Sequence, residues 1–255
     1  MSTWHRARTK GELLALTHHH DAILTEAPTE SLAEALILTS GSAWATALLR
    51  PTYNHGTTVM LTGDIGLLHD LVTGPPFARW HADHGVQSLS IRRDAADTLA
   101  SALGVDPDQM EGWDTFITRT APPPPRHPIV DLEPSDRDEM DRFLAEHSPR
   151  TDGRPWVRPG QRWVGARDAE SALVAIGCCE VEHSGVPMLA GIATAKPHRG
   201  RGLGRDITAE LTRGAIAEHG VSALEMYSDN DVARTLYRSL GYREVAAWLS
   251  GSPSR

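Results

Sequence analysis

The chain has only two cysteines in 255 residues, and they are neighbours, Cys178 and Cys179. Adjacent thiols cannot staple distant segments, so a disulfide framework is excluded and both read as buried strand residues in a reducing compartment. Aromatic residues make up 5% of the chain, and 33 acidic residues face 25 basic ones, a net charge of −8. That balance argues against a nucleic-acid surface. No apolar run approaches the roughly 18 residues needed to cross a bilayer. Residues Trp4 to Glu12 are charged with no apolar stretch behind them, so no signal peptide is expected. The expectation is a cytoplasmic protein without nucleic-acid or membrane partners, for which a homodimer is allowed. Two nucleotide signatures are missing too. The Lys-Ser or Lys-Thr pair of an ATP-binding P-loop is absent, which disfavours phosphoryl transfer. The Gly-x-Gly-x-x-Gly order of a dinucleotide fold, with its acidic ribose partner about 20 residues on, is absent as well.

What is present centres on Pro197-His198-Arg199-Gly200-Arg201-Gly202-Leu203-Gly204-Arg205. An apolar run, Met188 to Ala195, precedes it, and a helical pattern with Leu203, Ile207, Leu211 and Ala215 follows, stopping at Gly220. Strand, glycine-rich turn and helix in that order make an anion site. Glycines let the backbone approach closely, and the unpaired N–H groups of a first helical turn favour negative charge. Arg199, Arg201 and Arg205 supply forks for phosphate oxygens. The loop therefore reads as a cradle for the pyrophosphate of a nucleotide-like cofactor.

After it come a strand, Ala223 to Tyr227, cap candidates Ser228-Asp229-Asn230-Asp231, and a helix read with Val232, Leu236 and Leu240 as its buried stripe, ending at Gly241. Asn230, Ala233 and Tyr237 fall at i, i+3 and i+7, so one ligand can meet all three. Arg199-x-x-Gly202-x-Gly204, followed by Asn230-x-x-Ala233-x-x-x-Tyr237-x-x-Leu240-Gly241-Tyr242, resembles the acyl-CoA signature of the GNAT superfamily of N-acetyltransferases.

The chain divides at Ala121-Pro122-Pro123-Pro124-Pro125-Arg126-His127-Pro128, an extended and stiff connector. Before it, helical patterns (Leu13 to Leu24) and strand-like ones (Leu32 to Leu49, broken at Ser40-Gly41-Ser42; Thr57 to Leu61; Val86 to Ile91; Trp113 to Ile117) alternate with helices capped by Asp64 or stopped by Gly104. His18-His19-His20 is read as a solvated helix face, because consecutive helical residues point about 100° apart and cannot converge on one metal ion. After the connector, Pro134-Ser135-Asp136 opens a helix to Glu146 and Thr151 to Gln161 forms a loop. Arg162 to Ala166, Ala172 to Val181 and Met188 to Ala195 read as strands. The fold class is α/β (α+β).

The resemblance implies a catalytic GNAT domain over residues 129–255, with a mixed, mostly antiparallel sheet flanked by helices. It implies a connector over 122–128 and a degenerate, GNAT-like α/β domain without a phosphate loop over 1–121; an unrelated α/β lid is the alternative. It also implies acetyl-CoA as co-substrate and an amine, small molecule or peptide, as acceptor. Cofactor-binding residues would be Ile192, Ala193 and Thr194 through their backbone, then Arg199, Gly200, Arg201, Gly202, Leu203, Gly204 and Arg205, with Asn230 and Ala233 beside the cofactor arm. Tyr237 would return a proton to the departing thiolate. A phenol of pKa about 10 is protonated at pH 7 and can do so for a thiolate of pKa near 8.5. Val186 to Ala190 holds no carboxylate where some relatives keep a base. Glu180 and Glu182, sharing a strand face by period two, are the candidate bases acting through water, with Glu225 a third. A non-catalytic acyl-CoA sensor or partner-binding module remains the alternative.

Overall fold

The structure, a computed structural model, describes residues 1–29, 34–52 and 56–253. Of the stretch read as Leu32 to Leu49, Leu32 lies outside them. The N-terminal half runs β1 (Thr3–Ala7), α1 (Lys10–Leu16), α2 (Asp21–Glu26), β2 (Ala35–Ser40), β3 (Ala43–Thr52), β4 (Gly56–Gly63), α3 (Ile65–Thr73), α4 (Pro75–His84), β5 (Leu89–Arg92), α5 (Ala96–Leu103) and β6 (Glu111–Thr118). The C-terminal half runs β7 (Val130–Asp131), α6 (Arg137–His147), β8 (Arg162–Arg167), β9 (Leu173–Val181), β10 (Pro187–Thr194), α7 (Leu203–His219), β11 (Ser222–Tyr227), α8 (Asp231–Ser239) and β12 (Arg243–Gly251).

All the strands among the described residues form one sheet in the order β1-β2-β3-β4-β5-β12-β6-β11-β10-β9-β8-β7. Read from either edge the order is the same: five strands of one half, then the last strand of the other. The two parallel pairs, β4 with β5 and β10 with β11, occupy equivalent places, and antiparallel β12 and β6 meet at the centre. Each half is thus completed by a strand from its partner half.

Local sequence explains the elements. Asp64 caps α3 by accepting the Leu67 N–H at 3.1 Å. Gly74 precedes Pro75 at the start of α4, where a missing N–H costs nothing, and Phe77 and Trp80 of that helix are buried with Leu68 and Leu99. Leu203, Ile207 and Leu211 of α7 enter the C-terminal core with Phe116, Leu224 and Leu240. On the opposite face, Met140 and Phe143 of α6 pack on Trp163 and Cys178, and Leu13 and Ile23 on Met60 and Trp248. Cys178 is buried and Cys179 half-buried, both free, and burial pushes both thiols up.

Two sequence expectations are corrected. Val232 is 84% exposed; the inward side of α8 consists of Ala233, Leu236, Tyr237 and Leu240. His18 and His19 are not helical. They hold positive φ of 51° and 53° in the turn between α1 and α2, and His20 caps α2 by accepting the Ala22 N–H at 3.2 Å.

The proline-rich segment runs along α7. Arg213 Nη1 donates to the Pro122 carbonyl at 3.0 Å, and the Arg126 and His127 backbone N–H groups donate to Asp206 Oδ2, each at 3.0 Å.

Candidate active site

Strands β10 and β11 pair only at Met188 with Ala223 and Leu189 with Leu224. Beyond these, β10 carries a register irregularity between Ala190 and Ala193 on its β9 side, and the strands diverge. A cavity of about 640 Å³ opens at the divergence, lined by Ala190, Gly191 and Ile192 from β10 and by Glu225, Met226 and Tyr227 from β11. Gly191, at φ 63°, and Gly153 let the loop after α6 close on the bulge. A Cβ on Gly153 would stand 2.7 Å from Gly191 Cα, a distance no side chain tolerates. Ile192 lines the cavity, whereas Ala193 is buried in the α6 core.

The glycine loop has the geometry an anion needs. Gly200 and Gly202 hold φ of 74° and 87°, and no side chain caps the N-terminus of α7. The first-turn N–H groups of Leu203, Gly204 and Arg205 face outward from a turn in which a Cβ on Gly204 would press on Thr194 Oγ1 at 3.2 Å. These residues fit a diphosphate. The arginines differ from expectation. Arg199 Nε donates to the Thr194 carbonyl at 3.2 Å and its Nη2 to the His147 carbonyl at 3.0 Å, so it braces the loop from behind, and Thr194 offers its carbonyl to that brace. Arg205 Nη1 pairs with Asp206 at 2.9 Å. That leaves Arg201 and the backbone N–H groups for phosphate.

In the N-terminal half the equivalent helix start is closed by the chain itself. The Asp64 carboxylate occupies the α3 N-terminus, and Arg92 Nη1 donates to the Gly63 carbonyl at 2.6 Å, tying the end of β4 to β5. A phosphate there would meet a carboxylate.

Helix α8 brings Asn230 and Tyr237 to the cavity wall. Asn230 Oδ1 caps its helix by accepting the Ala233 N–H at 3.1 Å. Tyr237 is buried against Tyr242 with no hydrogen bond to its hydroxyl among the described residues, and burial pushes its phenol up to about 12. The phenol therefore stays protonated through the whole neutral range.

The candidate bases separate. Glu180 is buried, gripped by Arg158 through both Nε and Nη2 and by Gln161 Nε2 at 2.6 Å, and it is not among the residues lining the cavity. The expectation of a base there is corrected: it is a buried structural ion pair. Glu182 lines the cavity and its carboxyl is raised by burial, with Arg50 opposing and Glu180 adding like charge. Glu225 lines it directly at the strand divergence. Burial, opposed by Arg50 and reinforced by Glu26 and Glu182, pushes its carboxyl up to about 8. The sequence points to the loop Thr151 to Gln161 and the N-terminal half as walls of the acceptor site but singles out no residue of that half. Arg50, Thr58, Ser90 and Trp113 all line the same cavity.

Comparison with known proteins adds to this geometry. Residues 164–249 match the FR47-like protein family model. The N-alpha-acetyltransferase RimI of Mycobacterium tuberculosis is 32% identical over 100 residues, 38% of this chain and 61% of RimI. An uncharacterized protein of Mycobacterium leprae is 35% identical over 86 residues, 32% of this chain and 23% of that protein. The chain thus spans less than two thirds of these curated relatives. A GCN5-related N-acetyltransferase from Kribbella flavida matches in fold across 98% of both chains, with a TM-score of 0.56 at 18% identity. The chain has the fold of that GCN5-related N-acetyltransferase. The FR47-like match covers β10, the glycine loop, α7, β11 and α8, which carry the strand divergence and the anion cradle. The Kribbella likeness extends the GNAT fold over the N-terminal half as well.

Proposed function

We propose that the protein is an N-acetyltransferase that moves the acetyl group of acetyl-CoA to an amine by direct attack in a ternary complex. The observation that carries this reading is the uncapped α7 N-terminus beside diverging β10 and β11, with Tyr237 and Glu225 at the same cavity. Acetyl-CoA supplies an activated thioester. The N–H groups after Gly202, with Arg201, hold its diphosphate; the bulged stretch of β10 from Ala190 to Ile192 lies along its arm, as an edge strand holds an extended ligand. Glu225 takes a proton from the acceptor's ammonium, freeing the nitrogen lone pair to attack the carbonyl carbon. As the carbon–sulfur bond breaks, the Tyr237 hydroxyl passes its proton to the thiolate sulfur, and the second proton shed by the new amide nitrogen restores the phenol. The relation to RimI supports acetyl transfer in general.

We assign the N-terminal half as a GNAT-like copy that has lost its phosphate loop and now walls the acceptor side. The self-capped α3 and the mirrored strand order support this. A panel of amines, with CoA thiol release as readout, tests the activity. Turnover of at least one amine is expected. Acetyl-CoA binding without thiol release on any amine would favour the sensor reading instead.

A further inference from the structure

The Glu225 carboxylate is held from across the molecule. Arg50, near the end of β3, ion-pairs with it although the two residues are 175 apart in sequence. The Arg50 side chain is only 11% exposed. Its Nε stands 3.0 Å from Glu26 Oε2, and its guanidinium lies 5.1 Å from the Trp113 ring centroid. Glu26 is itself fixed, its Oε1 accepting from Thr115 Oγ1 at 2.7 Å and from Thr25 Oγ1 at 3.2 Å. Three elements of the N-terminal half, β3, α2 and β6, therefore converge on one guanidinium whose remaining face meets the cavity carboxylate.

We propose that Arg50 is a positioning residue through which the N-terminal half holds the Glu225 carboxylate at the strand divergence and sets when it is free to accept a proton. This rests on the base assigned to Glu225 above. Among the described residues Arg50 has no hydrogen bond or ion pair with the glycine loop, so its contribution is to proton removal and not to holding the diphosphate. A planar fork over an indole and shared between two carboxylates fixes the Glu225 rotamer as no flexible ammonium can. The groups that face Glu225 are Arg50 from β3, Glu26 from α2, Glu182 after β9 and Asp152 from the loop after α6. The single cation among them is Arg50.

The charges make opposite predictions for the two partners of that cation. Arg50→Met leaves Glu225 among like charges, so its titration moves to higher pH. Glu26→Gln removes one competitor for the guanidinium, so the titration moves to lower pH. Both are read in the full-length protein by isotope-edited carboxyl spectroscopy, with Glu225→Gln to assign the signal, and in parallel by the pH profile of kcat/KM. The expected result is opposite shifts in the titration, each of half a unit or more, an unchanged Kd for acetyl-CoA, and partial return in Arg50→Lys. Should Arg50→Met fail to fold, Glu26→Gln and Arg50→Lys carry the test alone. A Glu225 titration that stays put or moves the same way in both variants overturns the proposal, as does a tenfold loss of acetyl-CoA binding. A titration that shifts while the pH–rate limb does not supports the role of Arg50 and overturns Glu225 as the base.

Discussion

Asp206, on the first turn of α7, and His127, in the proline-rich connector, are bound twice over. The carboxylate accepts the His127 backbone N–H at 3.0 Å and its Nδ1 at 2.7 Å. The same Oδ2 takes the Arg126 N–H. Burial works against this charge, yet the hydrogen bonds from His127 and Arg126 and the pairing with Arg205 outweigh it and hold the carboxyl below the usual aspartate range. A depressed folded value means the stabilisation is complete above the ordinary aspartate pKa and is lost as pH falls through the folded one. Asp206→Ala should cost about 2 kcal/mol, the usual order for a buried hydrogen-bonded charge, seen as a lower Tm at pH 7 and faster hydrogen exchange at Arg126 and His127. At pH values below the folded pKa the variant and wild type should converge.

The phosphate cradle makes its own prediction. Gly202 has φ 87°, a region that L side chains rarely adopt, and it immediately precedes the uncapped N–H groups. Gly202→Glu adds backbone strain and places a carboxylate where the helix start favours an anion. Acetyl-CoA binding by calorimetry should weaken by 100-fold or more while Tm changes by a few degrees at most; intact binding would remove the loop from the cofactor site.

Tyr237→Phe keeps the ring against Tyr242 and removes only the hydroxyl. The expectation is a kcat lowered tenfold or more with KM for acetyl-CoA little changed, because the lost interaction exists only as the thiolate departs. Steady-state kinetics with an accepted amine measures this directly. An unchanged kcat removes the donor role.

For the base, activity should rise with pH through about 8, since Glu225 must be ionised to accept a proton and its carboxyl is pushed up to about 8. Glu225→Gln should lower kcat by at least tenfold and abolish that limb. Glu180→Gln should leave the limb in place and lower Tm instead, because it removes the charge from a largely buried ion pair with Arg158. Paired pH–rate profiles and melting curves distinguish the two carboxylates.

What the chain revealed before its structure was largely local chemistry. The turn at 199–204, the stripe of α7 and the caps at Asp64 and Asn230 depend on residues within a turn or two of each other, so periodicity and cap chemistry display them. Val232 misled for a geometric reason. Steps of four residues drift about 40° each around a helix, so Val232 lies well off the line of Leu240, and the true stripe alternates three and four from Ala233. Helix α4 went unread although Gly74-Pro75-Pro76 announces a helix start. Arg50 and Glu26 left no sequence trace at all. Each is one charged residue in a strand or helix end, and what gives it meaning is Glu225, on a strand that reaches it only through the fold. The strand exchange was equally hidden, because β6 and β12 look like the closing strands of their own halves.

That exchange has a consequence for how the molecule can be taken apart. A fragment cut at the connector would carry β12 but leave behind β6, the strand that fills the slot beside β11 and bears Trp113 and Thr115. Its sheet would end in an unsatisfied ladder next to the chemistry, and a second copy's β12 could slide into the gap. The two halves are thus bound less like beads on a string than like clasped hands, and neither can let go without opening the grip of the other.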